Sequence, residues 1–476
     1  MSTILTSSLV LPSFSLNATE NQSRVEVEPI SGLRGTYFLN GPAKFHFDDL
    51  SYNHWLDGDG MVTAIRFGEG DVRTTSKYVK GKKFVTESTK GKPVFRTFGT
   101  SFDGDRLYRG TGTASPYNVS VFRYQDRLLA FGEQSLPMEL NLETLETATP
   151  RRTFDFDRQL NEASPFSAHP KIDEHTGELL NFGVFFDDKR PLLIYYRFDA
   201  EGKLVCKAKH EIDLPCSLHD FATSENYVVF YLSPHLLRAE RLLRNRLPLS
   251  QSLDWCPNDH SSRLMVLCRA TGVRKAEIRV GNKYNLHTID CFEQDNRLYL
   301  DVIEYDRPLY DQYETLPNLF VDTSPGVPTR FEIDVNAGNA ERQVMLDFNN
   351  TPDFPVALDR ASVEDEFWVL GISNWNVAGP KFYNQLAHLS WRSTTTESDV
   401  WTAPTGWFMA GEPAIAHATN GEALLITPLF DATNATSHVG IFLARRVADG
   451  PVQLIELGHQ IPLGFHSTFC SDQYRC

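Results

Sequence analysis

The chain has 476 residues, with 46 basic against 61 acidic side chains and a formal net charge of −15. Hydrophobic residues at 41%, charged residues at 22%, 30 Gly and 26 Pro exclude a collagen-like, low-complexity or wholly disordered polypeptide, and the acidic balance argues against a nucleic-acid partner. No window approaches the roughly 18 to 20 uninterrupted apolar residues of a spanning helix.

Residues 1–16 are Ser/Thr-rich and lack the basic start and small-residue cleavage site of a secretory signal, so a flexible N-terminus over 1–20 and a cytoplasmic location are expected. Seven cysteines, odd in number and without a CxxC pair, read as reduced thiols. Short β-branched and aromatic runs then recur between turn signals, at 35–39, 61–67, 119–124, 127–131, 192–198, 227–232, 297–303, 367–371, 423–427 and 439–443. The alternation of Asp57, Gly58, Asp59 and Gly60 reads as a tight turn whose carboxylates bond local amides. With almost no helical periodicity and no linker, the expected fold is all-β: a sandwich array, a very large barrel or a propeller. Length favours a single seven-bladed propeller over 21–476, with a helical and loop cap on its top face.

One segment departs from the strand pattern. Between Pro234 and Pro248, leucines at helical spacing are flanked by Arg238, Arg241, Arg244 and Arg246. This predicts a short amphipathic helix that touches a membrane surface through Leu236, Leu237, Leu243 and Leu247, making the protein a peripheral membrane protein. The alternative is a helix that caps the core and leaves its arginines solvated.

Four of the 14 histidines stand apart: His169, His219, His287 and His466 each lie in a short run of small and apolar residues beside a strand. Imidazoles placed this way point inward and are held neutral, the form that ligates a metal, although core histidines with satisfied hydrogen bonds fit the same pattern. They lie too far apart for a local motif such as HExxH. A propeller axis, which the inner strands of all blades face, is the geometry that could gather them. No GxSxG elbow and no GxGxxG in strand–turn–helix context point to a hydrolase or to a nicotinamide or flavin enzyme.

These segments, in order, resemble the carotenoid cleavage oxygenase family. The opening blocks Leu33-Arg-Gly-Thr-Tyr-Phe-Leu-Asn-Gly-Pro42 and His54-Trp-Leu-Asp-Gly-Asp-Gly-Met61 match the family's first two motifs. Ala168-His-Pro-Lys171, His219-Asp-Phe221, His287 with Phe292-Glu293, Gly379-Pro-Lys-Phe-Tyr383 and Gly464-Phe-His466 follow in register. The resemblance implies a seven-bladed propeller with one Fe(II) per chain held by His169, His219, His287 and His466. It also implies that Glu133, Asp353 and Glu412 accept hydrogen bonds from the ligand histidines. Asp353 stands where the family has a glutamate, so a closer backbone, a bridging water or a looser histidine is required.

The activity implied is cleavage of a C=C bond of a carotenoid or apocarotenoid with O2 into two carbonyl products. Stilbene-cleaving relatives carry a Lys before the first of these glutamates and a Tyr upstream to grip a phenol. Here Gly132 and Ser101 stand in those places, which disfavours a phenolic substrate. A stilbene-cleaving dioxygenase and a non-cleaving polyene isomerase or binding protein are the alternatives.

Overall fold

The computed structural model describes residues 18–28, 32–48, 50–186, 190–316, 318–345, 348–358, 365–392 and 399–472. Most of the expected flexible N-terminus, and Cys476, lie outside the described residues. Seven antiparallel sheets of three to five strands form the blades of a propeller, with a two-stranded ribbon added above the third. The first blade holds Ser120–Tyr124, Arg127–Gly132 and Ser135–Leu140. Blades two to five are four-stranded meanders, whose innermost strands are Lys171–Ile172, Ala222–Thr223, Tyr284–Gln294 and Asp353–Ala357. Trp407–Met409 and Ala414–His417 both pair with Ala423–Asp431 in the sixth.

Burial along the strands follows their place in a blade. In the second blade, Leu179–Phe185 is an almost unbroken buried run, because blades pack on both of its faces. The outer strand Leu204–Glu211 alternates instead: Leu204, Cys206, Ala208 and His210 turn inward while Val205, Lys207, Lys209 and Glu211 face solvent.

The seventh blade closes the ring by joining distant parts of the chain. Its strand Gly35–Lys44 pairs on one side with Asp59–Phe67 and on the other with Ser467–Ser471, in a register from Gly35↔Ser471 to Leu39↔Ser467. The seam needs glycine at its start. Gly35 has φ +143°, and a Cβ there would sit 2.4 Å from the Cys470 carbonyl oxygen.

Long connections on one side of the ring form the cap. The Arg96 guanidinium grips both oxygens of Asp105 and reaches the Leu242 carbonyl, and the Ser250 N–H donates to the Phe98 carbonyl at 2.7 Å. The expected amphipathic helix over 234–248 is corrected here. His235–Leu237 is a strand that pairs with Leu253–Trp255, and only Ala239–Leu243 is helical. Leu236 is buried in the core shared by blades two and three, Leu237 is buried as well, Leu247 is partly buried, and Leu243 is half exposed. The arginines are partnered rather than free: Arg238 and Arg241 bind Asp254, Arg244 binds Glu240 and Arg246 binds Asp105. A four-leucine membrane face is therefore not formed. Among the described residues no helix is long and apolar enough to cross a membrane.

The Asp57–Gly60 reading also needs correction. Asp57 does not bond local amides; it accepts the Gly99 N–H at 2.8 Å and the Thr100 hydroxyl at 2.6 Å, so it ties the turn to a distant cap segment. Asp59 opens a strand and pairs with buried Lys83.

Candidate metal centre

The inner ends of the blades bring seven side chains to the axis, one from each blade. Blades two, three, four and seven supply histidines. His169 lies just before Lys171–Ile172, His219 just before Ala222–Thr223, His287 within Tyr284–Gln294, and His466 next to the closing strand Ser467–Ser471. Blades one, five and six supply carboxylates: Glu133 after Arg127–Gly132, Asp353 at the head of Asp353–Ala357, and Glu412 between the two inner strands of blade six.

One ring nitrogen of each of the four histidines lies within 4.8 Å of the other three. The Nε2 atoms of His169 and His219 are 2.8 Å apart, and Nε2 of His287 is buried without a hydrogen-bond partner. On the far side of three rings, Nδ1 meets an acid. His219 Nδ1 is 2.8 Å from Glu133, His287 Nδ1 is 2.5 Å from Asp353, and His466 Nδ1 is 3.2 Å from Glu412. An imidazole that donates from Nδ1 to a carboxylate has its Nε2 lone pair free, so Asp353 and Glu412 select for His287 and His466 the tautomer that ligates at the centre.

The shorter acid at position 353 is accommodated by the backbone. Pairing with Glu366–Gly371 shifts register between Asp353 and Val356, and Phe354 adopts a left-handed φ of +52°. This bulge advances the carboxylate until it contacts His287 directly, with no need for a bridging water. The Tyr383 hydroxyl donates to its second oxygen at 3.0 Å. Burial opposes ionisation of Asp353, yet the adjacent His287, the Phe354 N–H and the Tyr383 hydroxyl hold its carboxyl below the usual carboxylate range. His169 is driven well below the usual imidazole range, first by burial and then by the three neighbouring rings.

Four imidazole nitrogens facing one another are the donor set a divalent metal requires, and His287 Nε2 is a buried polar atom that such an ion would satisfy. Three residues of the centre carry no local sequence signal for their roles. Tyr310 places its hydroxyl 3.0 Å from His219 Nδ1, Tyr383 supports Asp353, and Asp220 lies beside His169. Tyr383 and Asp220 sit inside motifs quoted above, so their positions, though not their contacts, were marked; Tyr310 had no such mark.

Around the centre the surfaces are aromatic. Phe354 stacks near His287 and His466, with ring centroids 5.6 and 5.2 Å away, and leads through Tyr383 and Phe320 to Tyr313. Tyr310 packs against both Tyr313 and Phe98, and Tyr313 and Phe98 both meet His54, so these rings form one aromatic cluster beside the histidines. At Gly132, a Cβ would lie 1.9 Å from the Ser115 hydroxyl oxygen and 3.2 Å from the Tyr117 nitrogen, so a side chain here requires the Ser115 hydroxyl to turn away.

A propeller that gathers four histidines and their carboxylate partners on its axis defines a mononuclear non-haem metal oxygenase. Residues 16–471 match the family described as RPE65, retinal pigment epithelial membrane protein, and the chain belongs to this family, that of the carotenoid cleavage oxygenases. It is 27% identical over 463 residues to isoeugenol monooxygenase of Pseudomonas putida, covering 94% of each chain. It is also 27% identical over 465 residues to apocarotenoid-15,15'-oxygenase of Synechocystis sp., covering 93% of this chain and 92% of that one. In fold it resembles the crystal structure of cobalt-substituted Synechocystis ACO, with a TM-score of 0.87 at 24% identity over 98% of this chain and 99% of the other. The family's members are non-haem iron oxygenases, and His169, His219, His287 and His466 form the iron site.

Proposed function

We infer that the protein cleaves a C=C bond of a carotenoid or apocarotenoid with O2 to give two carbonyl products. The observation that carries this reading is the lining of the centre. Phe354, Tyr310 and Phe98 set aromatic rings beside the histidines, a surface suited to a long apolar polyene, and Gly132 stands where a phenol-gripping lysine would be expected.

Bound Fe(II) supplies a site for dioxygen beside the alkene, and the electron-rich substrate provides the reducing equivalents. Every other contribution comes from the chain. Asp353 and Glu412 keep Nδ1 of His287 and His466 protonated and those rings fixed, and the Tyr310 hydroxyl and Glu133 flank Nδ1 of His219. Phe354, Tyr310 and Phe98 offer faces against which a polyene lies flat, and the buried walls exclude water from the reacting double bond. Docking at a bilayer, whose interior dissolves such substrates, belongs to this reading as a proposal, but not through the 234–248 leucines.

A second reading, cleavage of the side-chain double bond of a phenylpropenoid or stilbene, draws on the full-length similarity to isoeugenol monooxygenase. One experiment separates them. Protein reconstituted anaerobically with Fe(II) is exposed to 18O2 with β-carotene, zeaxanthin, apo-8′-carotenal, isoeugenol or resveratrol, and products are read by HPLC and mass spectrometry. Labelled carbonyl fragments from a polyene alone are expected. Fragments from isoeugenol or resveratrol alone would replace the first reading by the second, and a changed polyene geometry at constant mass would make the protein an isomerase.

A further inference from the structure

Three of the four ligand histidines have a carboxylate directly on Nδ1; His169 does not. The nearest acid to its Nδ1 is Asp220, whose Oδ1 is 3.7 Å away. Asp220 is buried and fully engaged. Its Oδ1 accepts the Phe221 N–H at 2.8 Å and pairs with the Lys171 ammonium at 2.8 Å. Its Oδ2 accepts both the N–H and the hydroxyl of Thr288, at 2.8 and 2.7 Å.

Those partners are not arbitrary. Asp220 follows His219, Thr288 follows His287, and Lys171 lies two residues beyond His169. A single side chain therefore joins the segments that carry three of the four ligands, which come from three different blades. We propose that Asp220 is a positioning residue of the metal centre. Through Thr288 it locks the His219 and His287 segments in mutual register, and it supplies beside His169 the negative charge that the other histidines receive from Glu133, Asp353 and Glu412. The charge is shared with Lys171, so His169 is the least strongly supported of the four ligands.

The local backbone has a tether independent of Asp220. The Ser167 hydroxyl donates to the His219 carbonyl at 2.9 Å and accepts the His169 N–H at 3.1 Å. Asp220→Asn keeps an oxygen for Thr288 and removes the charge, so it separates charge from shape. Lys171→Met removes the competing cation and leaves the carboxylate to His169.

The test is metal affinity, measured by competition with a chelator on the full chain using Co(II) and Fe(II), together with the visible spectrum of the Co(II) protein and the melting temperature of the metal-free form. Because it uses no substrate, it stands apart from the choice between a polyene and a phenol. For Asp220→Asn the expected result is affinity weakened by about 10- to 100-fold, the range for loss of a partner of a ligand histidine. A shifted Co(II) band and little change in metal-free melting are expected with it. For Lys171→Met, affinity equal to or tighter than that of the parent is expected. Unchanged affinity in Asp220→Asn overturns the proposal, and so does a tenfold loss in Lys171→Met, which would make the ion pair, not the charge beside His169, the operative element. If Asp220→Asn does not fold, Lys171→Met decides alone on the same criterion.

Discussion

Two clusters of ionisable side chains are buried in this molecule on opposite plans. Beneath the helix Lys82–Lys90, Lys83 is wholly buried between Asp59 at 3.0 Å and Glu87 at 3.2 Å, with its ammonium 4.3 Å above the Tyr52 ring. Glu87 also accepts the Tyr52 hydroxyl and the N–H groups of Val94 and Phe95. That cluster turns its charges on one another and fastens the helix to the propeller. On the axis, the acids occupy only the outer nitrogens of the histidines and leave the inner ones facing each other. Burial of charge alone thus marks no site; what distinguishes the axis is that four imidazole nitrogens converge there, with His287 Nε2 left without a partner.

The contrast is broken most directly by removing a ligand. His287→Ala is expected to lose bound iron and reduce O2-dependent turnover to background with the circular dichroism of the fold retained; stoichiometric iron in the purified variant would refute the four-histidine assignment. Lys83→Met gives the opposite signature. It leaves two buried carboxylates without their cation, so urea denaturation should show a loss of about 3–5 kcal/mol while iron per folded chain is unchanged. A variant that loses iron in proportion would show the two clusters to be coupled. Next in size, Asp353→Asn should weaken iron binding by about 10- to 100-fold in a chelator competition, since it withdraws the acceptor that orients His287.

A third buried group sharpens the comparison because it follows neither plan. His235 has no partner at either ring nitrogen and packs edge-on against Tyr284. Burial pulls its pKa from 6.5 to about 4, against an opposing pull from Asp254. The folded chain therefore keeps it neutral where the unfolded chain protonates it. Its contribution is constant above about pH 6.5 and is lost as pH falls towards 4. From pH 7 to pH 5, stability of the metal-free protein should fall by about 2 kcal/mol more in the parent than in His235→Phe; parallel pH curves would place the imidazole in water. The smallest effect is expected at Leu243→Ser, whose half-exposed side chain should change stability by no more than about 0.5 kcal/mol.

Much of the architecture was legible in residue order. The β-branched runs mark strands because a strand between two blades has no solvent face, and Tyr227–Leu232 or Leu192–Phe198 can be recognised without any partner. The histidines were legible as motifs, whereas the pairing of Glu133 with His219, Asp353 with His287 and Glu412 with His466 depends on which blades stand side by side or one apart around the axis, which no local pattern encodes. The contact of Asp353 required a bulge and a left-handed Phe354, a backbone choice the residues Asp-Phe-Pro do not announce. At 234–248 local periodicity misled for a related reason. The strand His235–Leu237 exists because Leu253–Trp255 pairs with it, and Asp254 from that partner strand neutralises two of the arginines that had suggested a basic surface.

The closing strand has a consequence for biosynthesis. His466 immediately precedes the five residues that seal the ring against Gly35–Lys44, so the last ligand reaches the axis only when the seam is zipped. During translation the first three histidines leave the ribosome long before the fourth, and they wait as an unfinished, three-nitrogen set. The four-nitrogen set is thereby incomplete until synthesis has passed residue 466, and a ribosome that stalls earlier releases a chain in which neither the ring nor the full ligand set can be completed.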